Sequence, residues 1–507
     1  MPDSHVRQSS THDVHNYDAV YRPIPQAPVA SEPARPSLEL DTSDEQVELV
    51  DELASSTLLA EEDTRIHGIH FILGCAVLLP WNALITATPY FLSRLDGSPL
   101  KSTFSSYLST TFMASNLGFL ARATATSKQS SNSRRVLLSM SWLAFLSATL
   151  YISTFIRPHP GVFFAFVLVN GILQAAAGSY LQTAVVAVAS LFGHRTMQAV
   201  MSGQAGVGVV VSGVQVLSAT ASTRGKTSPQ SAVAPGSKPE EVSAAIFFAL
   251  STLFLVASAG VHVWMTRLPV YQSVLAQSSS SDRMGSIEEN DMSESMERLI
   301  AEEHNHGRRK LDEKPRIFRL AKVNLPYNFA VAYVFAVTLA VFPPITISIQ
   351  STNPSTHPLL FSAIHFLIYN IGDFVGRYLC SFPRLLVWSA RRLLAFSISR
   401  TLFIPLFLMC NIQWASSSTV PSTPIINSDW LYMFILLLFG LTGGYVSSMC
   451  MMSAPSVAHN PRLQGRTKDV DVAATVAAFC LVGGLTFGSV ASFAVRAAVC
   501  DCNPFSS

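Results

Sequence analysis

Eleven apolar segments, each close to the ~20 residues that cross the hydrocarbon core of a bilayer, follow one another between residues 69 and 496. They centre on 69–91, 104–121, 136–156, 161–188, 197–219, 244–266, 326–349, 358–382, 393–412, 430–452 and 472–496, with polar stretches between them. A backbone in hydrocarbon has no water to bond to, so segments of this length close their hydrogen bonds internally, as helices. The chain is therefore expected to be an all-α polytopic membrane protein. Composition agrees: only 13% of the residues are charged and the mean hydropathy is +0.35, against roughly 25% charged in soluble proteins. A net charge of +2 supplies no field for a nucleic-acid partner. The seven cysteines lie mostly singly inside apolar runs, which fits core positions rather than a disulfide framework or a zinc site.

The polar stretches set the domain plan. Residues 1–65 are rich in Pro, Ser, Asp and Glu and hold no apolar run of secretory length, so a disordered tail without a signal peptide is expected. Transmembrane helices 1–6 occupy 66–266 and helices 7–11 occupy 326–499, with a short tail at 500–507. Between the halves, 267–325 is long and carries charges of both signs, as a largely disordered loop does. His304 and His306 lie in this loop with no second ligand pair nearby, so no metal is expected. Placing the N-terminus in the cytoplasm puts 21 Lys and Arg in the cytoplasmic loops and six on the other side. Leaving out the long loop, the division is eleven against six. Positive charge favours the cytoplasmic side, so the tail and the 267–325 loop are expected there. The 500–507 tail then lies on the non-cytoplasmic side.

Charge inside an apolar helix is costly and marks a functional candidate. In YNIGDFVGRYL, Asp373 and Arg377 stand four residues apart and Asn370 three before Asp373, so the three share one helix face. Two readings fit. The pair either neutralises itself and locks two helices, or offers its spare donors and acceptors to a substrate. In GCAVLLPWNALI, Pro80 is expected to interrupt the first membrane helix, with Trp81 and Asn82 beside the break. Such breaks line transporter cavities, although a plain kink with Trp81 at the membrane interface fits the spacing as well. Gln174, Gln182 and Gln204 sit among small residues, as amides that join packed helices or face a solute. Gly203, Gly206, Gly208, Gly213, Gly440, Gly443, Gly444, Gly483, Gly484 and Gly488 read as packing residues. The sequence holds no GK[ST] loop, HExxH or GxSxG, so neither nucleotide hydrolysis nor another enzyme activity is expected, and no cofactor.

LLPWN in the first helix, LQAAAGS in the fourth, MSGQ opening the fifth, VFPP in the seventh, YNIGDFVGR in the eighth and RTLFIPLFLMCN in the ninth occur in this order. Together they resemble the equilibrative nucleoside transporter family, over residues 68–496. The resemblance implies eleven helices in a 6+5, major-facilitator-like arrangement, an internal N-terminus and facilitated diffusion of nucleosides, with nucleobases as further substrates. It also implies that Trp81 packs on the base, Gln174 bonds the base edge, and Asp373 and Arg377 hold the ribose hydroxyls. Asn370 would adjoin that pair, and Leu78 and Phe335 would line the apolar part of the cavity. Expected partners are a nucleoside and the lipid bilayer, with the chain a monomer. The membrane is the plasma membrane or one of vacuole or lysosome type; Leu58–Leu59 after Asp51–Glu52 fits a dileucine sorting signal imperfectly. A proton-coupled carrier is the alternative transporter, and a membrane receptor without a through-path the alternative of another class.

Overall fold

The computed structural model describes residues 42–101, 104–126, 132–224, 239–276, 315–342, 344–412 and 424–500. Contacts divide the chain into Met1–Leu59 and Ala60–Ser507. In the first unit the described backbone, 42–59, is helical; the architecture below is that of the second. The helices are α1 (Thr42–Thr86), α2 (Thr88–Arg94), α3 (Phe104–Ala125), α4 (Asn132–Ser153), α5 (Pro160–Leu191), α6 (His194–Arg224) and α7 (Pro239–Met265). After α8 (269–276) and α9 (Pro315–Val323) come α10 (Leu325–Val341), α11 (Pro358–Leu379), α12 (Ala390–Ser399), α13 (Phe403–Leu408), α14 (Asp429–Ser453) and α15 (Val470–Cys500). No strand ladder occurs among the described residues, only two isolated bridges near Cys410 and Ile412. His304, His306 and most of the 267–325 loop lie outside the described residues, as do residues 1–41 and 501–507. The helix α1 begins at Thr42, inside the stretch expected as a tail.

All eleven apolar segments fall on helices. By length and apolarity, eight described helices can cross a membrane, or nine if α9 and α10, bent by 77° at Asn324, form one span. The others fall short for visible reasons. Helix α3 carries several Ser, Thr and Asn, and the 393–412 segment is cut by a 3-10 turn at Arg400–Leu402 into α12 and α13. Large apolar side chains such as Leu217, Leu253 and Phe487 are exposed. In water such a surface would be a liability, whereas in lipid it is what the solvent requires.

The helix ends follow local chemistry. His159 and His357 each accept a backbone N–H two residues on, from Gly161 and Leu359, ahead of a proline in the first turn of α5 and α11; proline is suited to that position because its missing N–H would have no partner anyway. Between α5 and α6 only Phe192 and Gly193 intervene, and Gly193 has φ +95°, the left-handed conformation glycine reaches without a Cβ clash. One expectation is corrected here: Pro80 does not interrupt α1, which runs through it to Thr86. Proline's φ suits a helix, and the loss of one backbone bond is tolerable where neighbouring helices hold the segment. The break falls at Ala87, where the chain leaves α1 before the Pro89-led turn of α2.

The buried core explains how the helices group. One large cluster joins both halves of the chain at a single end: Leu73 of α1, Leu181 of α5 and Val200 of α6 belong with Val334 of α10, Met449 of α14 and Ala478 of α15. At the opposite end the halves have separate cores. Leu84, Phe91, Phe104 and Phe163 form one; Val341, Phe361, Phe407 and Phe439 form the other. The buried core is thus shared by the two halves at one end and separate for each at the other.

Close helix contacts rest on glycine. A Cβ on Gly372 or Gly376 of α11 would overlap a carbonyl oxygen of α14, from Leu437 or Leu441. One on Gly440 or Gly444 would meet Tyr369 or Asp373 of α11 in the same way. Gly484 and Gly488 bring α15 onto Ala332 and Ala336 of α10, and Gly74 and Gly203 join α1 to α6. Two glycines expected to pack tightly do not: Gly213 and Gly483 have nothing within 4 Å of an added Cβ.

Candidate functional site

The Asp373–Arg377 pair lies where the halves meet. Glycines at 372 and 376 press α11 onto α14, which turns the other face of α11, with Arg377, towards α6. Arg377 Nε donates to Asp373 Oδ2 at 2.9 Å, and the side chains are 6% and 14% exposed. Arg377 Nη1 donates to the Met201 carbonyl of α6 at 3.1 Å, and Gln198 Nε2 returns a bond from α6 to the Arg377 carbonyl at 3.2 Å. The pair therefore ties one half to the other. Among the described residues no partner is recorded for Asp373 Oδ1 or Arg377 Nη2, so an acceptor and a donor remain for a polar solute.

Asn370 sits one turn earlier at the same α6–α11 contact. Its Nδ2 is held by the Phe366 carbonyl at 2.9 Å, and its Oδ1 lies 2.6 Å from where Gly208 would carry a Cβ. Any side chain at 208 would displace it. Gly206 performs a related service, facing Phe71 of α1 and Phe374 of α11, so three helices meet within one turn of Asp373.

The other expected residues lie in the first half. Trp81 is half-buried, its ring centroid 4.3 Å from that of Phe112 with 30° between the planes, and it borders the separate core of that half. Leu78, one turn before it, is half-buried, and its carbonyl accepts from Asn82 Nδ2 at 3.0 Å. Gln174 is 2% exposed. Its Nε2 donates to Asn170 Oδ1 at 2.6 Å, and Asn170 is in turn fixed by Nδ2 bonds to the Leu146 carbonyl and Thr149 Oγ1. Gln174 Oε1 is buried with no partner. A buried acceptor left empty costs about 1–3 kcal/mol, and most buried polar atoms avoid that. Phe335 is half-buried on α10 against the shared core. The structure thus brings Asp373, Arg377 and Asn370 together on α11. No recorded bond or ring contact among the described residues joins Trp81 or Gln174 to them.

One buried cation escaped the reading of the sequence. Arg400 is 1% exposed and has no carboxylate bonded to it among the described residues. Its guanidinium donates to the Phe439 carbonyl at 2.8 Å, Thr442 Oγ1 at 2.6 Å and Thr338 Oγ1 at 2.9 Å. It also lies 4.4 Å over the Phe439 ring and against Gly443. A signal was present in RTLFIPLFLMCN, where a lone arginine opens an apolar run with no acid three or four residues away. Its partners, neutral oxygens on α10 and α14, are set by tertiary contacts and left no such trace.

The profile described as Nucleoside transporter matches residues 168–497. Over 483 residues the chain is 25% identical to "Equilibrative nucleoside transporter 1" of Homo sapiens, covering 85% of this chain and 96% of that protein. Over 444 residues it is 25% identical to "Nucleoside transporter FUN26" of Saccharomyces cerevisiae, covering 83% and 82%. Among solved structures, the major facilitator superfamily proton:xylose symporter XylE bound to 6-bromo-6-deoxy-D-glucose is similar with a TM-score of 0.49 at 12% identity, covering 85% of this chain and 88% of that one. A profile match over most of the chain, on a bundle of apolar helices, settles the family: the chain belongs to the nucleoside transporters.

Proposed function

We propose that the protein carries nucleosides, and nucleobases with them, across a membrane by facilitated diffusion through alternating access of its two halves. The observation that carries this reading is the division of the core: one cluster shared at the end where α1 begins its apolar course, and two separate clusters at the other. A carrier caught facing one side has such an asymmetry. The Asp373–Arg377 pair, with bonds to α6 at the junction of the halves, supports a site that both faces can reach in turn.

A nucleoside is neutral, with a flat aromatic base and a hydroxyl-rich sugar. In this reading Trp81 packs on the base and the empty Gln174 Oε1 accepts from its edge. Asp373 and Arg377 take the ribose hydroxyls, with Asn370 beside them and Leu78 and Phe335 lining the apolar wall. The eleven segments act as crossings in a 6+5 arrangement, with the N-terminus and the 267–325 loop in the cytoplasm and the chain a monomer. The shared core then closes the cytoplasmic end. The plasma membrane and a vacuole- or lysosome-type membrane are the two locations to distinguish by fluorescent tagging.

The test is uptake of labelled uridine and adenosine by purified protein in liposomes, with and without a pH gradient. Equilibration without ATP, sodium or a pH gradient is expected. Accumulation that requires a proton gradient would instead establish a proton-coupled carrier, and no flux with retained nucleoside binding would establish a receptor.

A further inference from the structure

A basic cleft lies away from the site just described, between α9 and the turn that leads into α15. It has a volume of 480 Å³ and is lined by Arg316, Arg319, Gly465, Arg466, Thr467, Lys468 and Asp469. Four of these are cations and one is an acid. Asp469 is 4% exposed and fully engaged: Arg316 Nε meets Oδ1 at 2.9 Å and Arg319 Nη2 meets Oδ2 at 2.8 Å. Arg316 also donates to the Lys468 carbonyl. The single carboxylate thus fixes two guanidinium planes at the cleft wall. The left-handed residues Gln464 and Gly465, with φ +52° and +73°, turn the chain so that Arg466 and Lys468 form the rim. The Arg466 guanidinium bonds only the Gln464 side chain among the recorded contacts, at 3.2 Å.

The helix α9 places this cleft in a membrane. Nine residues rise only about 14 Å, too little to cross, and α9 is turned 77° from α10. Where α10 runs through the bilayer, α9 therefore lies along its surface. Leu320 holds it there, buried with Leu463 and Ala473, and Arg462 Nη1 donates to the carbonyl of Val323, its last residue. Phe318 on the same helix is 74% exposed. An exposed aromatic beside three basic residues, Arg316, Arg319 and Lys322, is the composition of a helix that beds into the headgroup boundary.

We propose that this cleft binds the phosphate-bearing headgroup of an anionic membrane lipid. Preset guanidinium groups suit phosphate oxygens, the unbalanced charge suits more than one phosphate, and Phe318 with the surface-lying α9 favours a lipid over a free phosphate. The site is separate from the proposed nucleoside site and does not depend on it.

The test is thermal unfolding of the purified full-length protein in detergent, titrated with dioctanoyl phosphatidylinositol bisphosphate, dioctanoyl phosphatidylcholine or soluble inositol trisphosphate. The phosphoinositide is expected to raise the melting temperature, at a half-effect concentration well below that of inositol trisphosphate, while phosphatidylcholine does not. Arg466→Gln with Lys468→Gln should leave the unliganded melting temperature unchanged, because neither side chain holds Asp469. The same pair should raise the half-effect concentration at least about fivefold, the scale of removing cations from an anionic surface. An unchanged response in the double variant, or an equal response to phosphatidylcholine, would overturn the proposal. Equal potency of inositol trisphosphate would overturn the assignment to lipid.

Discussion

Arg377 combines two tasks that single-helix reasoning keeps apart. The four-residue spacing to Asp373 was visible in the sequence, and the ion pair forms at 2.9 Å. The bond to the Met201 carbonyl was not visible, because its partner lies 176 residues away. Removing one member of a buried pair leaves an uncompensated charge, at a cost of about 3–5 kcal/mol. Arg377→Ala is therefore expected to abolish uptake, and Arg377→Lys to retain only part of it, since an ammonium cannot serve Asp373 and Met201 in one plane. Uptake normalised to the amount of inserted protein measures this; normal uptake by Arg377→Ala would make the pair purely structural. For Trp81 and Gln174 the expectations differ from each other. Stacking on an aromatic is worth roughly 1–3 kcal/mol per base, so Trp81→Ala should weaken all nucleosides by about fivefold or more. Gln174→Ala should change the ranking of purines against pyrimidines, because base edges differ in donors. Competition by unlabelled nucleosides against labelled uridine separates the two, and a uniform loss in Gln174→Ala would assign the amide to helix packing.

At the scale of elements, the α11–α14 contact decides how precisely the pair is presented. Two glycines on each helix, four residues apart, let the backbones touch, the small-residue packing that replaces the hydrophobic effect between helices in lipid. The sequence offered ten glycines for this role without distinguishing them, and Gly372 and Gly376 were not among the ten; the structure separates them by what stands opposite each. Gly444→Ala would drive a methyl into the Asp373 carbonyl and is expected to lower both melting temperature and uptake. Gly483→Ala meets nothing within 4 Å and should be neutral or slightly stabilising, by up to about 1 kcal/mol of helix propensity. Melting of the two purified variants side by side checks this, and equal loss in both would remove the role given to the close contact.

Across the whole molecule, the proposed cycle requires the packed end to open. His194 of α6 lies there, with ring centroids 5.4 Å from Trp388 and 6.0 Å from His459 of the other half, while Trp388 stacks on His459 at 3.8 Å. Bridging His194→Cys and His459→Cys with a short bis-methanethiosulfonate reagent should hold this end shut. Near-complete loss of uptake is expected in the double variant, with recovery on reduction and little effect on either single variant. Unimpaired uptake in the bridged protein would show that this end does not open during transport.

What the sequence determined by itself is the solvent and the elements. Runs near twenty apolar residues admit only helices in a bilayer, and the motif order carried the family, because both are written in local spacing. The turn at Gly193, the proline-led starts of α5 and α11 and the Asp373–Arg377 pair follow from residues within a few positions of one another. Tertiary structure decided the rest. Pro80 reads as a break, yet α1 passes through it, since packing by neighbouring helices outweighs one lost backbone bond. Arg400 finds neutral oxygens on α10 and α14, and Gln174 Oε1 is left empty, because hydrogen-bond partners are set by which helices meet. The number of crossings rests on the same ground: α9 turns away from α10 where Leu320 meets Leu463 and Ala473, a contact between residues up to 153 positions apart that no local period encodes.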